Sequence, residues 1–205
     1  MIVGDPNTFA IESDFTQVYE RLSFRALGFF VLHIGGRRYG LYEPEATLLA
    51  CSFDEVNQRI ARRGTHTAPF AEEPNAGGIA DALRYSVFGD AEDEEIVYGI
   101  PRSQFVEFFY SKSHIEWAPD GDQAFDDGSR VLHFDVQDRV RLIAYGLKPW
   151  KDDFCHDPDT LKDVWLNADE FYGILQRWHD TFEAEWKISP KILQLDDGAE
   201  RNEND

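Results

Sequence analysis

The sequence predicts an α+β fold in a single domain, with a largely antiparallel sheet built from β-hairpins and three to four packed helices. Three observations carry this expectation. Paired β-prone runs meet at tight turns, helical apolar stripes stand apart from those pairs, and no linker or internal repeat divides the chain. The domain is expected over residues 1–193, with an acidic, disordered tail over 194–205.

The elements follow in order. Phe9-Ala10-Ile11-Glu12-Ser13-Asp14-Phe15 alternates apolar and polar side chains, the period of a half-buried strand, and could also lead into a helical turn near Val18. Ala26 to Ile34 is an apolar β-prone run that meets Gly35-Gly36 and then Arg37-Arg38-Tyr39-Gly40. Two glycines tolerate the positive φ of a tight turn, so this is read as a hairpin. A third strand is expected over Ala46 to Cys51. Ser52 and Glu55 have capping-box spacing for a helix carrying Phe53, Val56 and Ile60 and stopping at Gly64.

After a loop from Thr65 to Asn75, Ala80, Leu83 and Val87 mark a helix over Ile79 to Val87. Pro101 suits the first turn of a short helix bearing Phe105, Phe108 and Phe109, and Ile115-Glu116-Trp117 suits a short strand. Val131–Val136 and Arg139–Tyr145 alternate around Gln137-Asp138 and form the strongest hairpin signal in the chain. Asn167 and Glu170 then suit the cap and third positions of a long helix with the stripe Phe171, Ile174, Leu175, Trp178, Phe182 and Trp186. From Asp196 to Asp205, five acids stand against one Arg, with no apolar residue larger than Ala.

With 205 residues, 42% apolar and 16 Phe among them, the chain can fill a real core. Its net charge is −19, from 39 acidic and 20 basic residues, where small domains usually carry roughly 2–8 in magnitude. That charge disfavours direct contact with nucleic acid or an anionic membrane and favours a basic partner. The N-terminal segment lacks the pattern of a signal peptide, and no run reaches the roughly 20 apolar residues of a membrane span. A cytoplasmic location is expected. Cys51 and Cys155 lie far apart and outside any CxxC pair, which argues against a disulfide scaffold or a zinc site.

Catalytic signals are sparse. No GxxxxGK[ST] or GxGxxG run exists, so Gly35-Gly36 is read as a turn rather than a phosphate cradle. Asp120 to Gly128 is rich in carboxylates, yet Ala124, Phe125 and Val131 occupy positions where an EF-hand needs an oxygen ligand, Gly and Glu. A polar turn is favoured there over a nonstandard cation site. The six histidines (His33, His66, His114, His133, His156, His179) form no HExxH or HxH pair, and His33 and His133 sit in apolar strands as core or sheet residues. Cys155-His156-Asp157 has the residue types of a triad, but neighbours in a chain point different ways. No catalytic residue, metal or cofactor is assigned.

What stands out is exposed acid near aromatic anchors. Asp90 to Glu95 holds five acids in six positions. Ser113 to Ser129 holds Glu116, Asp120, Asp122, Asp126 and Asp127, no Lys or Arg, and Trp117. Protein interfaces use a Trp anchor for energy and a charged field for encounter rate; equally, Trp117 can be core and the acids merely solvated. The partner-binding candidates are therefore Glu92, Asp93, Glu94, Glu95, Glu116, Trp117, Asp120, Asp122, Asp126 and Asp127.

Whole phrases of the chain resemble the immunity protein 42 family of bacterial polymorphic toxin systems. They are Met1-Ile2-Val3-Gly4-Asp5-Pro6 with Phe9-Ala10-Ile11-Glu12, the run from Leu27 to Gly40, Ala46 to Phe53, and Phe125-Asp126-Asp127-Gly128-Ser129. The resemblance implies an antidote that binds and neutralises a cognate toxin, and it carries no catalytic residues with it. The acidic balance points to a basic toxin surface, as on a nuclease. The alternatives are a small hydrolase using carboxylates near His133 or His156, and an acidic DNA mimic that binds a basic regulator.

Overall fold

Hairpin chemistry sets the first sheet. In a computed structural model that describes residues 1–90, 92–117, 123–147 and 155–192, strands β1 (Ile2–Asp5), β2 (Phe9–Val18), β3 (Ala26–Ile34) and β4 (Arg37–Tyr39) pair in sequence order, all antiparallel. Gly35 and Gly36 adopt φ of +57° and +78°, the positive-φ turn expected between β3 and β4. The stretch around Val18 stays extended. The third strand shrinks to β5 (Thr47–Leu48), which pairs with the start of β3. The Leu49 N–H donates to Ala26 O at 2.8 Å, and helix α1 (Ala50–Ala61) starts directly from that tether. The expected capping box does not form: Ser52 is buried inside the helix, and Glu55 pairs with Arg59 at 2.8 Å instead.

The second sheet is β8–β9–β10, whose strands are numbered after the short pair β6 (Ile96–Val97) and β7 (Ile100–Pro101). Strands β8 (Ser129–Val136) and β9 (Arg139–Leu147) meet at Gln137-Asp138, as expected, with Gln137 at φ +56°. Both faces of this hairpin are buried. Val131, Val140, Leu142 and Ala144 face the first sheet, α1 and α4 (Ala168–Ile188). Leu132, Phe134, Val136, Ile143 and Tyr145 face α2 (Ala76–Phe88) and α3 (Arg102–Glu107). The sheet is thus the middle layer between two apolar cores, and Phe70 lies within about 6 Å of five aromatic rings in the second.

Strand β10 (His156–Asn167) has no counterpart in the sequence reading. Its Pro158 and charged residues are atypical of a strand, and they are tolerated because β10 lies at the edge of its sheet and its register slips between Asp157 and Lys162. It leads straight into α4, where Asn167 Oδ1 accepts from the backbone N–H of Asp169 (2.9 Å) and Glu170 (3.2 Å). Ile115 to Trp117 forms an isolated bridge against β8, and α2 starts at Ala76, three residues before Ile79, with Asn75 as its cap. Beyond α3, the chain widens into a π-helical turn over Phe108–Lys112. The four α-helices and three antiparallel sheets among the described residues make an α+β fold, as expected. The tail over 194–205 lies outside the described residues.

Candidate functional site

The acidic run between α2 and β6 is a built feature. Four successive carboxylates repel one another, so a defined backbone there needs a cation at its base, and Arg102 fills that place. Its N–H donates to Glu95 O at 2.8 Å, its Nε to Glu92 O at 3.2 Å and its Nη2 to Asp93 Oδ1 at 2.8 Å. Nη1 reaches back to Ser86 O in the last turns of α2. Ser103 N–H also donates to Asp93 O. Arg102 keeps only 19% of its side chain exposed against 81% for Asp93. Glu92, Asp93, Glu94 and Glu95 are all exposed, so the backbone is held while the acids face water. Flanking them in the chain are Phe88 and Ile96, 60% and 65% exposed, with Tyr85 also outside. The sequence reading missed these apolar neighbours, although Phe88 directly follows the helical stripe and Ile96 directly follows the acids.

The second acidic stretch is different. Trp117 is 1% exposed, packed against Phe9 and Phe171 with the Arg59 guanidinium 4.5 Å from its ring. Glu116 is 4% exposed and lies 3.5 Å from Arg130. Neither can anchor a partner from this surface, because bridging to β8 turns both side chains inward: Trp117 N–H donates to Val131 O and Arg59 donates to Glu116 O. Asp127 is exposed but engaged locally, accepting from Ser129 N–H and Oγ at 2.9 Å and from Gly40 N–H at 3.3 Å. Asp126 is exposed, while Asp120 and Asp122 lie outside the described residues. The stretch is therefore not one acidic loop around a surface tryptophan.

A buried polar network joins the two layers. His133 and Asp135 fall on the face of β8 that meets α1 and α4, so Arg59 and Tyr172 reach them. Arg59 Nη1 lies 2.9 Å from His133 Nδ1. A guanidinium only donates, so that nitrogen accepts and the His133 proton sits on Nε2, 3.4 Å from Asp135 Oδ1. Tyr172 donates to Asp135 Oδ1 at 2.8 Å, and His66 N–H donates to Oδ2 at 3.0 Å. The His66 ring lies 4.5 Å from that of His133, and its Nδ1 donates to Ser113 O at 2.8 Å. Burial pushes His133 down to about 4 and His66 to about 3, and both stay neutral at pH 7. Hydrogen bonds from His133, Tyr172 and His66 outweigh burial at Asp135 and hold its carboxyl well below the usual range. A cavity of about 110 Å³ reaches Asp135 and Tyr172 but is lined by neither histidine. The geometry is that of a cross-link between layers. His156 is likewise tied down, with its N–H and Nδ1 both 2.7 Å from Asp81 Oδ1, and Cys51 and Cys155 form no disulfide. Among the described residues no cluster of His, Cys, Asp and Glu is suited to a metal ion, and no helix is long and apolar enough to cross a membrane.

The model of one protein family, immunity protein 42, matches residues 1–181, which takes in all three sheets, the acidic run and most of α4. The chain belongs to the immunity protein 42 family. Immunity proteins neutralise a toxin by binding it, so the partner of this chain is its cognate toxin and its role is that of an inhibitor. Membership replaces the hydrolase reading of His133 and His156. The fold is also similar to the crystal structure of CdiI from Burkholderia dolosa, with a TM-score of 0.52 and 15% identity, over 88% of this chain and 99% of that one. No curated protein matches the chain.

Proposed function

We propose that this immunity protein captures its toxin on the face formed by Glu92, Asp93, Glu94 and Glu95 with Phe88 and Ile96. The observation that carries the reading is the anchoring of that acidic run by Arg102. A charge array fixed before encounter loses little conformational freedom on binding, while neighbouring apolar side chains supply the area that holds the complex. The toxin surface is then basic, as expected of a nuclease that grips an anionic substrate, and neutralisation takes place in the cytoplasm. Asp126, which is exposed, adds to the negative field, and Asp120 and Asp122 remain partner-binding candidates, whereas Asp127 is engaged with Gly40 and Ser129.

Two groups of variants test this in binding experiments with the toxin encoded beside the immunity protein. Phe88→Ala and Ile96→Ala are expected to speed dissociation while leaving association nearly unchanged, because uncharged contacts act after encounter. Arg102→Ala frees the acidic run without removing any of its carboxylates and is expected to weaken the complex. Unchanged dissociation for both apolar variants would move the interface elsewhere.

A further inference from the structure

We infer that the cleft between α2 and the β8–β9 hairpin is a binding site for a carboxylate on a ring-sized apolar stem, bordering the proposed toxin-docking face at Phe88. The cleft encloses about 290 Å³, near the lower end of small-ligand pockets, which run from roughly 300 Å³ upward. One wall is apolar: Leu83, Val87 and Phe88 from α2. The opposite wall carries Arg130 and Tyr145 beside Glu116, and Arg84 closes the rim.

The charges decide the ligand class. Two guanidiniums face one carboxylate, in a chain whose net charge is −19. Arg130 is already shared with Glu116 at 3.5 Å. Arg84 is not satisfied: its Nε is buried without a hydrogen-bond partner, and its guanidinium carbon lies 5.7 Å from the centre of the Phe88 ring. Arg84 lines the cleft, so an anion that enters lies beside its guanidinium. Glu116 makes a dianion such as phosphate unfavourable, so one negative charge fits best. Burial of the Tyr145 phenol keeps it protonated and able to donate. The stem then lies along Leu83 and Val87.

The test is titration of the ¹⁵N-labelled full chain with benzoate, with benzamide as the uncharged isostere. Benzoate is expected to shift resonances of Leu83, Arg84, Val87 and Arg130 with Kd on the order of 1 mM, and benzamide to bind at least about tenfold more weakly. Arg84→Gln removes a side chain whose Nε bonds nothing, so folding should survive, and it is expected to weaken benzoate about tenfold. Val87→Trp fills the stem's place and should also abolish binding. Equal affinity for benzamide, an unchanged Arg84→Gln titration, or no shifts at the cleft would each overturn the assignment. Repeating the titration on the toxin complex identifies the source. Unchanged binding means that the cleft takes a free acid, and loss of binding means that the docked toxin fills the cleft or covers it at Phe88.

Discussion

Acidification from pH 7 to 5 is expected to remove about 4 kcal/mol of folding stability through His66 and His133 alone. In the unfolded chain both imidazoles titrate near about 6.5, whereas burial holds them to about 3 and about 4 in the fold. As pH falls below 6.5, the unfolded state takes up protons that the folded state refuses. The stability is therefore complete above that value and lost on the way down. At pH 5 each histidine favours the unfolded chain by about 2 kcal/mol, a large share of the roughly 5–15 kcal/mol that holds a domain together. Asp135, held below its usual range, adds to the loss below about pH 4 and leaves the pH 7 to 5 window to the histidines. Urea unfolding at pH 7, 6 and 5 measures the slope, in salt of about 1 M so that the Debye length of about 3 Å suppresses relief of the −19 self-repulsion. His133→Gln or His66→Gln should remove about half of the pH dependence. A stability flat between pH 7 and 5, or a slope in both variants as steep as that of the natural chain, would refute the neutral buried pair.

Three further outcomes follow from the packing. Phe70→Ala opens a hole among Tyr98, Phe105, Phe108, Phe109 and Phe134 and should cost about 3–5 kcal/mol in urea unfolding. Asn167→Ala leaves two N–H groups of α4 without their cap and should cost about 1 kcal/mol, while Asn167→Asp should cost little. Gly77→Ala places a methyl 2.7 Å from the His156 ring; it should cost about 1–3 kcal/mol and displace the imidazole from Asp81, visible in the His156 side-chain resonances.

The hairpins and the long helix were legible because local chemistry and tertiary contacts agree there. Gly35-Gly36 supplies positive φ, Asn167 supplies a cap, and the stripe from Phe171 to Phe182 has one core to meet. Where they disagree, the sequence misleads. Ser52 and Glu55 have the spacing of a cap, but the tether of Leu49 to Ala26 starts α1 earlier. β10 carries Pro158 and several charges, and only its place on a sheet edge makes it a strand. The same holds for the candidate site. A run of acids at Glu92–Glu95 announces exposure, and exposure is found. Trp117 and Glu116 carry no such local signal, because their burial depends on pairing with β8 and on Arg59, far away in sequence. Arg102 as the base of the acidic run could not be read from spacing alone, since its bonds depend on the turn through β6 and β7.

The decisive measurement is stopped-flow association with the toxin across a salt series, comparing the natural chain with a variant carrying Lys at positions 92–95 in place of Glu92, Asp93, Glu94 and Glu95. If the pinned acids steer capture, association of the natural chain slows as salt rises, and the reversal cuts the low-salt rate by about 10–10³-fold. Identical rates and identical salt slopes for the two proteins would contradict a toxin docked on this face.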